Sequence, residues 1–554
     1  MPSVADLSLS TDINNSQSSE LCTKAQGADD LNEKPLEVLE QDVEDALPHP
    51  VPRSGVETAG IIAMVCLIFT LVGLDSNIVA TAVPAMTRNF GTIADIGWYA
   101  AVYRLTAGSF QFLFGKIYSL FPTKPVILAD LAVFAAGSLL CALAPTSTAF
   151  IVGRALVGLA TAGAVSGAFA IIVHGTPLRE RPTIAGVGGA TEAVASLGAP
   201  LIGGLLIDHL GWRWCYYIEL PLVALTFFIV LFIYRSPQKQ QGSFRELKTK
   251  IRQLDLLGAA LFIPCLTTLM LAFQWGGIKY SWGDWHVLLN LAFFVVLLSV
   301  FAWLQRHLQD NAMLPPRILL QRSVLAGLCF SFCNNAALSI VEYYMPIYFQ
   351  AVRSLSVFMS GVMVLPIGAG LVISVFLAGF LTSRFGYSNP FMIATGILAP
   401  IAAGLMTTLK IETAVWMLVI YQGLLGFGAG IGFQGPQVAV QAIFSDNDSQ
   451  IGLAIIQFAQ SIGPAIFVAV AQNIFATSLV ANIRHNAPDI DTSDLINHGL
   501  ALGKIQSKDM VAIISSYTVA LTQTFYLSVG LSGLTLFSAA IMEWRSVKAK
   551  SLQK

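Results

Sequence analysis

Between residues 57 and 543 the chain is a succession of apolar runs, each close to helical bilayer-spanning length and separated by short polar stretches. About 20 apolar residues in helical form cross the ~30 Å hydrocarbon core of a membrane. Inside hydrocarbon every backbone donor and acceptor needs an internal partner, and a helix supplies it. With 55% hydrophobic and 11% charged residues, a chain of 554 residues lacks the polar surface of a soluble enzyme. The runs place fourteen helices, near 57–82, 98–120, 125–145, 149–173, 183–206, 213–234, 255–275, 285–305, 322–350, 357–381, 390–409, 414–440, 449–477 and 516–543. The expected class is an all-α polytopic membrane protein.

Residues 1–55 are rich in Ser, Asn, Asp and Glu, as in a disordered tail. They lack a basic segment followed by an apolar core, so no cleaved signal peptide is expected. A net charge of −1 gives no reason to expect nucleic acid as a partner. The seven cysteines are scattered and the seven histidines lie at or beyond helix ends. That pattern predicts no disulfide framework, no metal site and no metal-dependent enzyme. Lysine and arginine set the topology. With both ends in the cytoplasm, the inner loops hold Lys116, Lys124, Arg179, Arg181, Arg306, Arg317, Arg322 and Arg384, plus a basic linker at 236–254. The short outer loops hold only Arg88, Arg213, Lys279, Arg353 and Lys410, with three more basic residues in the 478–515 segment. Residues 544–554 then form a cytoplasmic tail. The sequon at Asn447 falls on the inner side and is expected to stay unglycosylated.

The stretch from Ile184 to Pro221 is apolar enough to span, yet Ala195, Ala199 and Gly203 line one helix face with small residues. Pro200 removes a backbone donor within it and predicts a bend. Glu192 adds an ionisable group at a cost of roughly 2.5–3.5 kcal/mol on insertion scales. Gly198-Ala-Pro200-Leu-Ile-Gly203-Gly204 resembles the antiporter signature on the fifth helix of major facilitator transporters. Trp212-Arg-Trp-Cys-Tyr-Tyr-Ile-Glu219-Leu-Pro221 is similar to the opening of the sixth helix in the fourteen-helix drug:proton antiporter family. The resemblance implies a major facilitator fold. Two six-helix bundles (56–235 and 321–543) would flank two inserted helices in 255–320. A weak internal echo, Gly115 to Phe121 against Gly379 to Phe385, fits two parallel repeats.

Ionisable groups far from any loop face a partner or water rather than lipid. Asp75, Arg104, Arg154 and Glu192 are therefore the candidates for proton coupling. Gly73 to Pro84, with Asp75 and Asn77, resembles the family's first-helix motif, and Phe150 to Gly158 resembles the fourth-helix motif whose arginine the family ties to proton coupling. A static ion pair between Asp75 and Arg104 is the structural alternative. Glu219 stands where the family usually has asparagine. It is open to three readings: an interfacial residue near the outer face, a contact for a cationic substrate, or another proton site. Asp130 reads as interfacial. Gly115 is followed by Ser119 and Lys124, without the aspartate of the usual second-loop motif, so the latch built on that aspartate is expected to be absent or altered. Phe134-Ala-Ala-Gly137-Ser138 also lacks the acid found on the third helix of fourteen-helix relatives.

For substrate contact the candidates are Asn77, Glu219, Glu342, Tyr343, Tyr344, Gln350, Tyr421, Gln434 and Gln457, since aromatics and amides accept amphipathic organic molecules without one fixed charge pattern. Six glycines between Gly423 and Gly435 make the twelfth helix either a bending element or a closely packed one. No Gly-x-x-x-x-Gly-Lys-Ser/Thr occurs, so energy is expected from a proton gradient, with no cofactor. The expectation is proton-coupled efflux of a small amphipathic compound (a toxin, secondary metabolite or drug) by a fungal-type transporter, monomeric and resident in the plasma membrane. A vacuolar or vesicle membrane stays open. So do a proton-coupled importer of a nutrient or siderophore and, more remotely, a transporter-like receptor.

Overall fold

A computed structural model describes residues 55–90, 96–234, 250, 253–277, 280–486 and 507–548. The expected amino-terminal tail, nearly all of the basic linker, Lys279, residues 487–506 of the outer segment and the last six residues lie outside the described residues.

The amino-terminal half contains α1 (Gly55–Phe90), α2 (Ile96–Leu120), α3 (Thr123–Leu143), α4 (Ser147–Gly175), α5 (Arg181–His209), the short α6 (Trp214–Tyr217) and α7 (Glu219–Phe232). Two helices follow, α8 (Leu256–Trp275) and α9 (Trp285–Leu308), then a one-turn α10 (Pro316–Leu319). The second half contains α11 (Arg322–Ile347), α12 (Val357–Phe385), α13 (Asn389–Met406), α14 (Val415–Ile431), α15 (Gly435–Ile443), α16 (Asp446–Asn486) and α17 (Ser507–Ile541). Among the described residues the only β feature is an isolated bridge between Gly276 and Tyr280.

Local chemistry sets the ends. Thr146, Asp255, Asp284, Gln321 and Ser356 accept backbone N–H groups at the starts of α4, α8, α9, α11 and α12. Gly386, at φ 91°, closes α12 in the left-handed conformation that glycine tolerates. α5 runs uninterrupted through Pro200. Pro346 instead precedes a π-helical turn, Tyr348–Val352. The helix expected at 414–440 is broken at 432–434, where Gly432 is followed by Gly435-Pro436. Its glycines also serve close packing: a Cβ on Gly428 would lie 2.9 Å from the Ala399 nitrogen of α13. The helix expected at 213–234 likewise divides into α6 and α7.

Thirteen described helices are long and apolar enough to cross a membrane. α2 is helical over 25 residues but carries Arg104, Gln111 and Lys116, and it is the long helix that falls below that apolarity.

Packing divides the helices into two halves. α1 lies on α5, while α2 and α3 lie on α4. In the second half α11 packs on α16 and α17, α12 on α14, and α13 on α17. The halves meet along two seams, α5 with α12 and α2 with α16, and α8 leans on both α2 and α16. Phe262 of α8 packs on the Phe112–Phe458 pair, at ring separations of 5.2 and 5.6 Å.

The seams are tight at one end. A Cβ on Gly186 would lie 3.1 Å from the Gly379 Cα, and Thr183 donates to Ser383 at 2.7 Å. One continuous core joins the halves there, combining Ile127, Phe169 and Ile184 with Val440, Ile451 and Ile455. Toward the opposite end each half has its own core, around Ile78, Phe150 and Trp212 in one and Ile340, Tyr344 and Leu521 in the other. The structure is therefore closed at the end bearing the basic loops.

The altered latch has a structural answer at that closed end. Arg181 pairs with Asp446 at 3.2 Å, and Lys116 donates to the Asp310 carbonyl at 2.7 Å. Arg317 donates to Asp310 at 2.6 Å and, through two nitrogens at 2.9 Å each, to Asp448 on α16. The hydrogen bonds it donates to Asp448 and then Asp310 push the Arg317 guanidinium pKa above its usual range. The segment after the inserted helices thus ties α2 to α16. Each exposed pair is worth only about 1 kcal/mol or less, so the network biases the closed end without locking it. Replacing both Arg317 and Asp448 by alanine is expected to raise labelling of a cysteine placed at Ser383. Unchanged labelling would remove this network from the closure.

Candidate coupling cluster and substrate surface

Gly73 lets α1 approach α5: a Cβ there would meet the Ala195 side chain and Ser196 hydroxyl at 3.1 Å. Ser196 donates to the Gly73 carbonyl at 3.3 Å. Two residues on, Asp75 is 0% exposed and pairs with Arg154, itself 1% exposed. Glycines bring the other helices in. Gly158 of α4 sits against the Tyr103 backbone of α2, and a Cβ on Gly137 would lie 2.7 Å from Val157. Arg154 is held on three sides. Its NH1 donates to Asp75 Oδ1, its Nε donates to the Tyr99 carbonyl at 3.3 Å, and its guanidinium lies 4.5 Å from the Tyr103 ring centre. Tyr103 in turn shares a hydrogen bond with Ser76 at 3.1 Å.

Glu219, 0% exposed, is part of the same cluster. Ser138 of α3 donates to its Oε2 at 2.7 Å, and Asp75 and Arg154 lie within electrostatic range of its carboxyl. An aromatic group seals this region from water. Tyr99 and Phe150 pack at 5.2 Å, Phe150 and Tyr216 at 5.3 Å, and Phe90 and Trp212 at 5.4 Å.

Several expectations are corrected. The partner of Asp75 is Arg154, so the Asp75–Arg104 ion pair is not formed. Arg104 is exposed and lies within electrostatic range of Glu342 across the halves. Two charges on span-length helices that remain exposed face water rather than lipid, which marks the gap between the halves. Glu219 is neither interfacial nor placed to touch substrate, because the aromatic group buries it. Asp130 is not interfacial either: it is 3% exposed, and both carboxyl oxygens lack a hydrogen-bond partner. Glu192 is half-buried on α5 and stands outside the cluster.

The other candidates divide. Tyr343 is 51% exposed beside Glu342, and Asn77, Gln350 and Tyr421 are half-buried, Gln350 donating to Ser360 at 3.0 Å. Tyr344 is buried against Phe475 at 5.4 Å and belongs to the core, a correction. Gln434 and Gln457 are corrected as well: both are buried in the seams. Gln434 donates to the Ala185 carbonyl at 3.5 Å, and Gln457 accepts from Gln111 at 3.1 Å. In the fifth-helix motif, Gly203 lets α5 close on α1, where a Cβ would lie 3.1 Å from Ile78. Gly204 faces open space and Gly198 meets only Ile202, at 3.8 Å. Pro200 is half-buried. Sequence reasoning left out Ser138 and Gln111. For Ser138 the signal was complementarity, a serine where an acid was missing on α3 and an acid where an amide was usual on α7.

Residues 65–468 match the family model described as Major Facilitator Superfamily. The chain belongs to the major facilitator superfamily. It is a multi-pass membrane transporter, not an enzyme. It is 38% identical over 535 residues to an MFS-type efflux pump of Trichophyton rubrum, covering 96% of this chain and 98% of that one. It is 40% identical over 483 residues to the efflux pump aunC of Aspergillus niger (87% and 91%) and 36% identical over 520 residues to the efflux pump roqT of Penicillium rubens (91% and 96%). Among solved structures it is similar to the proton:xylose symporter XylE, with a TM-score of 0.58 at 13% identity, covering 89% of this chain and 98% of that one. It is also similar to the human organic anion transporter MFSD10, with a TM-score of 0.51 at 15% identity (86% and 98%). At these identities the structures establish the fold alone.

Proposed function

We propose that this facilitator is a proton-coupled exporter of small amphipathic organic compounds. The observation that carries the reading is the buried Asp75–Arg154–Glu219 cluster in the amino-terminal half. An ion pair kept dry inside a membrane protein is costly, and a carboxyl beside a permanent cation changes its proton affinity with distance and hydration. Rocking of the halves about the α5–α12 and α2–α16 seams alters both. The efflux names of fungal relatives that match nearly the whole chain support the outward direction.

The closed, basic end is cytoplasmic in this reading, with both termini inside, fourteen spans and a plasma-membrane location. The gap carrying Arg104, Glu342 and Tyr343 is then the outward-facing substrate surface. One proton crossing ~100 mV supplies about 2.3 kcal/mol, enough for a roughly fifty-fold substrate gradient. Rhodamine 6G, an amphipathic dye, serves as probe. Inside-out vesicles holding the protein are expected to accumulate the dye under an imposed inside-acid gradient, and an uncoupler is expected to abolish this. Accumulation that follows ATP without a gradient, or dye expelled from the vesicles under the same gradient, would overturn the reading.

A further inference from the structure

α17 ends at Ile541, and the chain beyond it stays on the molecule. A chain terminus is poorly ordered unless something ties it down, and here the ties are specific. The last carbonyls of a helix have no partner within it and take donors from elsewhere. Arg322 Nε of α11 donates to the Ile541 carbonyl at 2.7 Å, and the Asn389 amide of α13 donates to the carbonyls of Met542 and Glu543 at 3.3 Å each. The Glu543 N–H donates to the Ser323 hydroxyl at 3.3 Å. Further on, the Val547 N–H donates to the Gly386 carbonyl at 2.9 Å, just past the end of α12. Gly386 permits that approach, since a Cβ there would lie 2.8 Å from the Ser546 hydroxyl oxygen. Residues 542–548 are thus fastened to the starts of α11 and α13 and to the end of α12.

The segment then buries one apolar side chain among polar neighbours. Arg545 is exposed, whereas Val547 is 1% exposed and forms a small cluster of its own with Val438 and Ala442 of α15. Leu178 packs against that cluster. α15 belongs to the second half, and Leu178 belongs to the connection between α4 and α5 in the first. The walls of the valine seat therefore come from both halves. Any motion that parts the halves at this end moves Leu178 with one and α15 with the other, which opens the seat to water. Burial of an apolar group favours the conformation in which the seat exists.

We propose that residues 542–548 form a strap across the closed end, with Val547 as a plug seated between the halves, so that the carboxy-terminal tail sets how often this transporter opens toward the side of the basic loops. This control goes beyond the transport activity and depends neither on the compound carried nor on the coupling ion. It is also distinct from the Arg317 network. That network ties α2 to α16 by charge, which salt screens; the strap lies where α5 begins and α12 ends, and its grip is apolar.

The test is the rate at which a membrane-impermeant maleimide labels Thr183→Cys in the full-length protein, reconstituted in lipid nanodiscs and measured against the same chain without that cysteine. Val547→Asp, and separately a chain ending at Ser546, are each expected to raise the rate roughly tenfold, the shift that losing one buried valine supplies. Leu178→Ala is expected to raise it as well, and to add little when combined with Val547→Asp, because both act on one contact. If Val547→Asp does not fold, Val547→Ala carries the same comparison. Labelling at the wild-type rate in the Val547 variant and the shortened chain, with only a lowered melting temperature, would mean that the tail merely caps the second half and would overturn the strap. Fully multiplicative effects of Leu178→Ala and Val547→Asp would overturn the shared seat. The measurement needs neither dye nor a proton gradient, so its outcome is separate from that of the vesicle experiment.

Discussion

Arg154→Ala is expected to abolish gradient-driven dye transport while leaving the protein inserted in the membrane. The arginine contributes two directed hydrogen bonds and a ring contact that no other side chain replaces. Removing one partner of a buried pair typically costs about 3–5 kcal/mol. Here the loss is limited, because Asp75 and Glu219 can both take protons rather than remain as bare charges. The cluster is then neutral and has no reason to release a proton, so coupling stops while the fold survives. A melt of the purified variant should show modest destabilisation. Arg154→Lys is expected to fail nearly as badly, since an ammonium does not reproduce the fork that reaches Asp75 and the Tyr99 carbonyl together. Dye transport at the wild-type rate in Arg154→Ala would remove this residue from the mechanism.

Gly379→Leu is expected to trap the transporter away from the conformation described here. A Cβ at residue 379 would lie 2.6 Å from the Pro182 carbonyl and 3.1 Å from the Gly186 Cα, and both neighbours are backbone. Backbone cannot rotate aside as a side chain can, and overpacking of this kind typically costs 1–3 kcal/mol or more. A shift of ~1.4 kcal/mol already changes a conformational equilibrium about tenfold. The variant should expose a cysteine placed at Thr183 to a membrane-impermeant thiol reagent applied from the side of the basic loops. Protection equal to wild type would mean that the α5–α12 crossing does not control closure.

The sequence made the helices legible because apolar run length is a one-dimensional signal. It was less able to show where a run breaks. Trp212 to Pro221 reads as a continuous apolar start, yet the chain turns at Ile218 between α6 and α7, and that turn carries Glu219 beneath Tyr216 and Phe150. Burial of Glu219 therefore depended on tertiary packing that no spacing encodes. The choice of Arg154 over Arg104 as partner of Asp75 has the same origin. Both arginines sit within long helices, and only the folded packing shows that Arg154 turns to Asp75 and the Tyr99 carbonyl while Arg104 is left exposed. Gln434 and Gln457 look like cavity amides by composition and become seam amides by geometry, because the seams near them are closed. The closed-end network could not be read from the second loop alone. Its Arg317 and Asp448 are 131 residues apart and meet where α10 packs on α16.

Proton movement on adding dye tests the coupling claim most directly. Proteoliposomes loaded with a pH-sensitive fluorophore, with no imposed gradient, are exposed to rhodamine 6G. Wild type is expected to move protons against the dye, and Arg154→Ala to move none while still binding it. Dye crossing in wild type with no change in internal pH, or equal proton movement in the two proteins, would contradict a cycle driven through Asp75, Glu219 and Arg154.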